Sequence, residues 1–149
     1  VSLTDFYATF AQMVNHKLKD EEAVDSYSIW PILSKQGASN RKDLVYESGK
    51  GYLSLRTPQL KLVFNGGSGG WGYPNKPADL AQLPPMQLFN LKEDPSEKEN
   101  IIHDKCYEQE VKEMTQLIRK YVKEGRSTPG AEVANDTEND WKQVNIFMQ

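Results

Sequence analysis

The apolar residues near the start of the chain recur at the three- and four-residue spacing of a helix: Leu3, Phe6, Phe10 and Met13. Asp5 stands three residues after Ser2, which is the spacing of a capping box at a helix start. The pattern predicts an amphipathic helix that ends near Lys17. Farther on, Pro31 interrupts the apolar segment 27–33, which favours a short helical turn over an ordinary strand.

From Leu44 onward the period of the apolar residues changes to two, as in strands with one buried face. Three such segments are separated by short turns that contain glycine or proline: 44–47, 52–56 and 60–64. They predict an antiparallel meander. A fourth strand is predicted at 86–91, after an irregular stretch at 65–85 that is rich in glycine and proline.

The clearest helical pattern lies between Asp104 and Glu124, where the apolar residues form one stripe: Tyr107, Val111, Met114, Ile118, Tyr121 and Val122. Gly125 is placed as its C-cap. The polar segment 126–149 predicts loop laid against a surface, with Trp141 and the apolar residues 146–148 near its end. Together these elements predict an α+β fold: a four-stranded antiparallel sheet packed against a long C-terminal helix, with an N-terminal helix and a Gly-rich loop.

Composition and charge exclude several classes of function. The chain has 149 residues and a net charge of −3, so it has no basic field for nucleic acid. No apolar run approaches the roughly 20 residues of a membrane helix, so we expect no membrane partner. Hydrophobic residues make up 38% of the chain, which predicts a lean core. The chain begins at Val1 without an initiator Met or a signal peptide, so we expect it to be a piece of a longer protein.

Few residues offer catalytic or metal chemistry. His16 and His103 are the two histidines, and each stands in a polar setting typical of the surface. Cys106 is expected in the first turn of the last helix, where the helix dipole can lower its pKa, but the sequence offers it no obvious base. The acidic runs 19–22 and 136–140 lack the ligand spacing of a calcium loop. These residues therefore predict no catalytic group and no metal site.

The segment 65–74 combines five glycines with Trp71 and Tyr73. A phosphate-binding loop would end in Lys-Ser or Lys-Thr and lead into a helix, whereas this segment leads into more loop. The two aromatic rings offer flat faces to a sugar or an aryl group, or pin the loop to its own domain. The pattern favours a structural loop or the rim of a substrate pocket.

Several fragments, taken in order, resemble the C-terminal part of an arylsulfatase-type sulfatase of the alkaline-phosphatase-like superfamily. The matching fragments are 2–9, 25–33, 53–56 with 60–64, 67–71, 83–91, 94–100 and 121–130. The resemblance covers residues 1 to about 130. It implies that 1–130 is the sulfatase C-terminal subdomain, that 1–34 ends the segment leading from the catalytic domain, and that 131–149 is a C-terminal tail.

This resemblance implies sulfate ester hydrolysis, of aryl or carbohydrate sulfates, at a calcium-assisted site. There a formylglycine made within a Cys/Ser-x-Pro-x-Arg motif is the nucleophile. The motif is absent from the 149 residues, so calcium and formylglycine are expected in the parent catalytic domain upstream. The chain alone is expected to be inactive, to dock on that domain through an exposed apolar patch, and to be periplasmic or secreted.

The resemblance also implies a part in the rim of the substrate pocket. The candidates are Tyr46, Glu47, Trp71 and Tyr73, which would help to choose a sulfated small molecule or glycan. The carboxylate of Glu47 favours a hydroxyl-bearing sugar over a second sulfate, because like charges repel. Two alternatives stay open: a free-standing module that binds sulfated glycan through the loop 66–73, and the cap of a related phosphonate or phosphodiester hydrolase.

Overall fold

A computed structural model describes residues 1–134 and 142–148. The predicted tail residue Trp141 and the acidic run 136–140 lie outside the described residues. The chain divides into two compact units. We call Val1–Lys42 with Lys120–Glu138 the helical unit, and Asp43–Arg119 with Asn139–Gln149 the sheet unit. The division expected at residues 34 and 130 stays a prediction, because units defined by packing do not test where a family's domain ends.

The described residues form nine regular elements and two 3₁₀ turns. The α-helices are α1 (Asp5–Met13), α2 (Trp30–Leu33), α3 (Pro77–Leu80), α4 (Glu108–Glu124) and α5 (Asn145–Met148). The strands are β1 (Leu44–Glu47), β2 (Leu53–Arg56), β3 (Leu60–Val63) and β4 (Gln87–Asn90). The 3₁₀ turns, Lys105–Tyr107 and Lys142–Val144, lie just before α4 and α5. The α+β fold is confirmed, and each strand end lies within one residue of its predicted place.

The four strands form one antiparallel sheet in the order β1-β2-β3-β4. Leu55 lies opposite Leu62, which lies opposite Leu88, and all three side chains are fully buried on one face. We call this the apolar face. Because successive strand residues point to opposite sides, the alternate positions form a second, polar face. Its residues are Tyr46, Ser54, Arg56, Lys61, Val63, Gln87 and Phe89.

The long helix α4 completes the core of the sheet unit. Its stripe buries Met114 and Ile118, and the amide of Asn90 on β4 donates to the hydroxyl of Tyr107 at 3.2 Å. α4 begins four residues later than Asp104, because the 3₁₀ turn Lys105–Tyr107 comes first. Asp104 caps that turn by accepting from the backbone N–H of Cys106 at 2.9 Å. The predicted helix is therefore confirmed, with a tighter first turn.

The end of the chain is not simply a loop, which corrects the prediction for 126–149. Phe147 of α5 is almost fully buried, and its ring centroid lies 4.4 Å from that of Phe64. The guanidinium Nε of Arg119 donates to the carbonyl of Phe147, and Gln143 donates to the carbonyl of Lys50 at 3.2 Å. A large aromatic ring near the end of the chain thus supplies part of the core.

In the helical unit, α1 buries small and polar side chains instead of its apolar stripe. Asp5, Ala8, Thr9 and Ala11 are buried. Leu3 is 85% exposed and Phe10 is 58% exposed, and Tyr7 and Met13 are exposed beside them. α1 ends at Met13, short of Lys17, because Asn15 takes a left-handed conformation with φ 56°. The sequence pattern located an apolar face, and the structure leaves that face open.

A buried ion pair joins α1 to the rest of the helical unit. The carboxylate of Asp5 is fully buried and accepts from the Arg41 guanidinium, with Nε at 3.0 and 3.2 Å from its two oxygens. It also accepts from the backbone N–H groups of Ser2 at 3.0 Å and Tyr27 at 3.1 Å. The guanidinium lies 4.7 Å from the centroid of the Tyr27 ring. Three separate segments therefore meet at one carboxylate.

A second buried cation, Arg126, holds the segment after α4. Its guanidinium donates to the carbonyls of Asp20 at 3.1 Å, Ala131 at 2.8 Å, Pro129 at 3.1 Å and Thr128 at 3.0 Å. A Cβ atom at Gly130 would lie 2.3 Å from this guanidinium, so a larger residue there would displace it. The helical unit is thus held together largely by directed polar contacts.

Candidate functional site

The polar face of the sheet opens into a cavity of about 500 Å³. Strands β1 to β4 supply seven of its lining residues, and the neighbouring loops supply Ser48, Tyr52, Asn65, Gly67, Ser68, Gly69 and Glu97. Ser54 and Phe89 are buried at its base. Hydroxyl, amide and charged groups therefore face a space in the size range of small-molecule sites, roughly 300–1,000 Å³.

Two loops meet at one wall of this cavity. The hydroxyl of Ser48 accepts from the backbone N–H of Tyr52 at 3.1 Å, which closes the turn between β1 and β2. The backbone N–H of Lys50 donates to the carbonyl of Gly69 at 3.1 Å. Gly69 has φ +67°, and a Cβ atom there would lie 2.9 Å from that of Ser48. This position requires glycine, both for its conformation and for the close approach.

Gln87 on β4 fixes the start of the glycine-rich loop. Its side-chain amide donates to the carbonyls of Asn65 at 2.7 Å and Gly67 at 2.9 Å. A Cβ atom at Gly67 would lie 2.4 Å from the Leu80 side chain, so the loop packs closely against α3. The cavity wall formed by Gly67–Gly69 is therefore held by side-chain contacts as well as by the backbone.

The two cations of the cavity differ in their partners. The Lys61 ammonium lies 2.5 Å from the Glu97 carboxylate, and both side chains are partly buried. The Arg56 guanidinium has a long hydrogen bond of 3.5 Å to the Tyr46 hydroxyl. Among the residues that the structure describes, no carboxylate lies within ion-pair distance of Arg56. The cavity therefore carries one uncompensated positive charge.

The structure separates the four predicted rim residues. Tyr46 lines the cavity, whereas Glu47, the next residue on β1, points to the other side of the sheet. Trp71 is 88% exposed and Tyr73 is 84% exposed, and neither lines the cavity. Both belong to the loop whose Ser68 lines the cavity wall. The hydroxyl of Ser68 donates to the carbonyl of Gly72 at 2.6 Å. The role of the four predicted residues at a substrate rim stays a prediction.

Sequence reasoning missed the residues that give the cavity its character: Arg56, Lys61, Gln87 and Glu97. The signal was present for the first three, because they alternate with the buried leucines along the strands and must share a face. Glu97 gave no such signal. It follows the turn at Asp94, whose carboxylate accepts from the backbone N–H groups of Lys98 at 2.6 Å and Glu99 at 2.8 Å.

The other chemical candidates lie outside this cavity. His16 and His103 are both exposed. The Nε2 atom of His16 lies 3.4 Å from the Glu22 carboxylate. Cys106 is also exposed, and a hydrogen bond with Asp104 and the charge of that carboxylate raise its pKa above the usual 9.0. The expectation that the helix dipole lowers this pKa is therefore wrong, since the nearby carboxylate opposes the thiolate.

No metal cluster and no membrane-spanning helix are found in the part of the chain that the structure describes. Within residues 1–134 and 142–148, no group of three or more His, Cys, Asp or Glu side chains could hold a metal ion. In the same residues, no helix has the length and apolar character needed to cross a bilayer.

A scan against protein-family models gives no match, and a search of curated proteins also gives none. Solved structures do share the fold. A Bacteroides thetaiotaomicron protein labelled 6S-sulf, from work on the metabolism of multiple glycosaminoglycans, has a TM-score of 0.60 and 24% identity. The match covers 78% of this chain and 24% of that one.

Two further solved structures are similar. One is a protein in complex with its substrate D-glucosamine-2-N,6-O-disulfate, with a TM-score of 0.54, 22% identity and coverage of 78% of this chain and 22% of that one. The other is a 2-O glycosaminoglycan sulfatase, with a TM-score of 0.57, 19% identity and coverage of 79% and 24%. The chain therefore has a fold found in sulfatases and spans about a quarter of the length of the structures it matches.

Proposed function

We propose that this chain is the C-terminal part of a sulfatase that hydrolyses sulfate esters of carbohydrates. The observation that carries the proposal is the shared fold, which matches the fold of solved sulfatase structures over 78% of the chain. The order of the sequence fragments, from 2–9 to 121–130, supports the same family independently. In this proposal the protein is secreted or periplasmic.

The chemistry of this enzyme belongs to a catalytic domain upstream of Val1. The described residues offer no metal-binding cluster, and the sequence has no Cys/Ser-x-Pro-x-Arg motif, so the residues of this chain do not fit calcium or formylglycine. Both groups are assigned to the upstream domain. We assign no catalytic residue to this chain, and it is inactive by itself.

The open apolar face of α1 supports a partner of that kind. Tyr7, Phe10 and Met13 of α1, with Leu3 just before the helix, place several large apolar side chains in solvent. Contiguous exposed apolar surface is typical of a protein interface. About three quarters of each similar structure has no counterpart here. We assign this face to contact with the catalytic domain.

The sheet unit contributes to substrate choice in this proposal. Tyr46 lines the cavity, and the exposed rings of Trp71 and Tyr73 are available to stack on a sugar. Glu47 is left out of the proposed rim, since its side chain lies on the other side of the sheet. The proposed substrates are sulfated sugars, because two of the similar structures are described with glycosaminoglycans and one with a disulfated glucosamine.

The test is to express the chain together with the residues encoded in frame upstream of it. We expect this longer protein to release inorganic sulfate from a sulfated glucosamine, and the 149-residue chain to release none. An upstream sequence without a Cys/Ser-x-Pro-x-Arg motif would contradict the proposal. Release of product from phosphodiesters or phosphonates, with none from sulfate esters, would identify the cap of a related hydrolase instead.

A second candidate function is a module that binds sulfated glycan without chemistry, and the uncompensated Arg56 in the cavity favours it. An in-frame start or signal sequence directly before Val1, with glycan binding by the chain alone, would establish this candidate in place of the first.

A further inference from the structure

We infer that the cavity on the polar face binds an anionic substituent of a sugar through the guanidinium of Arg56. This substituent is a second charged group, separate from the sulfate ester that the enzyme hydrolyses. The inference rests on the proposed function for the identity of the ligand as a glycan. It concerns a site that sequence reasoning did not identify.

The bonding of Arg56 leaves it available for a ligand. A guanidinium has five N–H donors, and in the described residues only one of them has a partner, the Tyr46 hydroxyl at 3.5 Å. Arg56 is exposed within the cavity lining. A planar guanidinium matches the oxygens of a sulfate or a carboxylate in a two-point contact. The geometry therefore favours an anion with at least two oxygens.

The two cations of the cavity differ in whether a carboxylate lies beside them. Lys61 also lines the cavity, but its ammonium lies 2.5 Å from the Glu97 carboxylate. The positive charge of Lys61 is therefore compensated within the protein. Arg56 lies directly opposite Lys61 on the neighbouring strand and has no such carboxylate. An incoming anion would meet one paired and one unpaired cation, and it would select the unpaired one.

The rest of the cavity suits a sugar. Tyr52 and Ser54 both line the cavity. Among the described residues, their side-chain hydroxyls make no hydrogen bond. Ser54 and Phe89 are buried at its base, so part of the site has reduced contact with water. A volume of about 500 Å³ holds one sugar ring with a charged substituent.

The expectation drawn from Glu47 does not apply to this cavity and stays a prediction for the substrate rim. That carboxylate was expected to disfavour a second sulfate, but it lies on the opposite side of the sheet from the cavity. The charge that faces the ligand belongs to Arg56. Sugars with an additional sulfate or a carboxylate are therefore preferred over neutral ones.

The experiment is a two-dimensional NMR titration of the 149-residue chain with glucosamine 2-N,6-O-disulfate, with glucuronate and with the neutral sugar N-acetylglucosamine. We expect chemical-shift changes in 46–56 and 61–69 with an anionic sugar and none with N-acetylglucosamine. Binding to the disulfate alone assigns the site to sulfate, and binding to glucuronate alone assigns it to carboxylate. The affinity should fall as salt is added, because the contact is ionic.

Variants test the residue itself. Arg56→Gln should weaken binding about tenfold or more, the loss of one hydrogen bond to a charged group, and Arg56→Lys should restore part of it. Lys112→Gln, at an exposed position on α4, removes an equal charge away from the cavity and should leave binding unchanged.

The outcomes separate this inference from the proposed function. If neither anionic sugar binds, or Arg56→Gln binds as the parent does, the inference is overturned, even if the longer protein releases sulfate. If an anionic sugar binds through Arg56 and the longer protein releases no sulfate, the cavity assignment stands and the sulfatase proposal fails.

Discussion

The two units of this protein are stabilised by different kinds of interaction. The sheet unit buries large apolar side chains, among them Leu55, Leu62, Phe64, Ile118 and Phe147. Among its described residues, the helical unit buries only Ala8, Ala11 and Ile29 of the apolar ones, together with the polar side chains of Asp5, Thr9 and Arg126. Its large apolar residues on α1 face solvent instead.

The difference shows how a segment can fold while its large apolar side chains stay exposed. Directed contacts to Asp5 and Arg126 specify the geometry of the helical unit without using the apolar face of α1. Hydrogen bonds of this kind contribute little net free energy each, but a buried charge left without its partners is costly. The stability of the helical unit should therefore be sensitive to the loss of buried polar side chains. The stability of the sheet unit should be sensitive to changes in the volume of buried apolar side chains.

The largest effect is expected from breaking the buried ion pair with Arg41→Met. The Asp5 carboxylate would stay buried without its main partner, which costs about 3–5 kcal/mol of the free energy of unfolding. Hydrogen exchange of the backbone amides, resolved by segment, should show the loss of protection in 5–13 and 25–41.

The double variant Asp5→Leu/Arg41→Met serves as the control. It removes both charges, so it should recover part of the stability lost in Arg41→Met. A double variant less stable than the single one would mean that the pair itself, and not the unpaired charge, dominates the energy.

A somewhat smaller effect is expected from Phe147→Ala in the sheet unit. Removal of a buried phenylalanine costs about 3–5 kcal/mol, and the value here should lie at the low end because the four-residue helix α5 can shift to fill the space. Urea denaturation measures it. Met148→Ala, at the exposed neighbouring position, should change the stability by less than about 0.5 kcal/mol.

The smallest loss of stability is expected from protonation of Asp5 at low pH. Burial raises the pKa of Asp5, but the hydrogen bonds from Arg41, Ser2 and Tyr27 and the charge of Arg41 together hold it below its usual 3.8. A carboxyl with a lower pKa in the folded state stabilises that state in full above its unfolded pKa. This contribution is lost as the pH falls through the folded pKa. The helical unit should therefore lose amide protection progressively as the pH falls below the usual pKa of 3.8.

Asp5→Asn is the matched variant for this measurement, because it keeps the shape and removes the titration. It should be less stable than the parent at neutral pH, with a weaker dependence on pH in the same range. An equal acid dependence in the two proteins would assign the effect to other carboxylates.

Local patterns predicted most of the sheet unit, because its core follows from alternation within single segments. Each strand was located to within one residue, and the stripe of α4 gave Met114 and Ile118. The same periodicity found the apolar stripe of α1 but did not indicate whether this chain would cover it. A stripe shows that a face is apolar, but it does not show what covers that face.

Contacts between distant segments were beyond sequence reasoning. Asp5 meets Arg41 and Arg126 meets Asp20 because the chain returns to these places, and no local spacing encodes either pair. The cavity could be predicted from the sequence only in part. Alternation placed Arg56 on the polar side of its strand, but Glu97, which makes the contrast between the two cations, is brought in by an irregular turn.

The contact between Phe64 and Phe147 has a consequence for biosynthesis. A ribosome makes the chain from its N-terminus, so the four strands and α4 emerge before Phe147 does. Until then the Phe64 ring lacks its aromatic neighbour, and the nascent sheet has an unfinished core. Helix α5 completes that core, so a chaperone that contacts the nascent sheet before α5 emerges would meet Phe64 uncovered by Phe147.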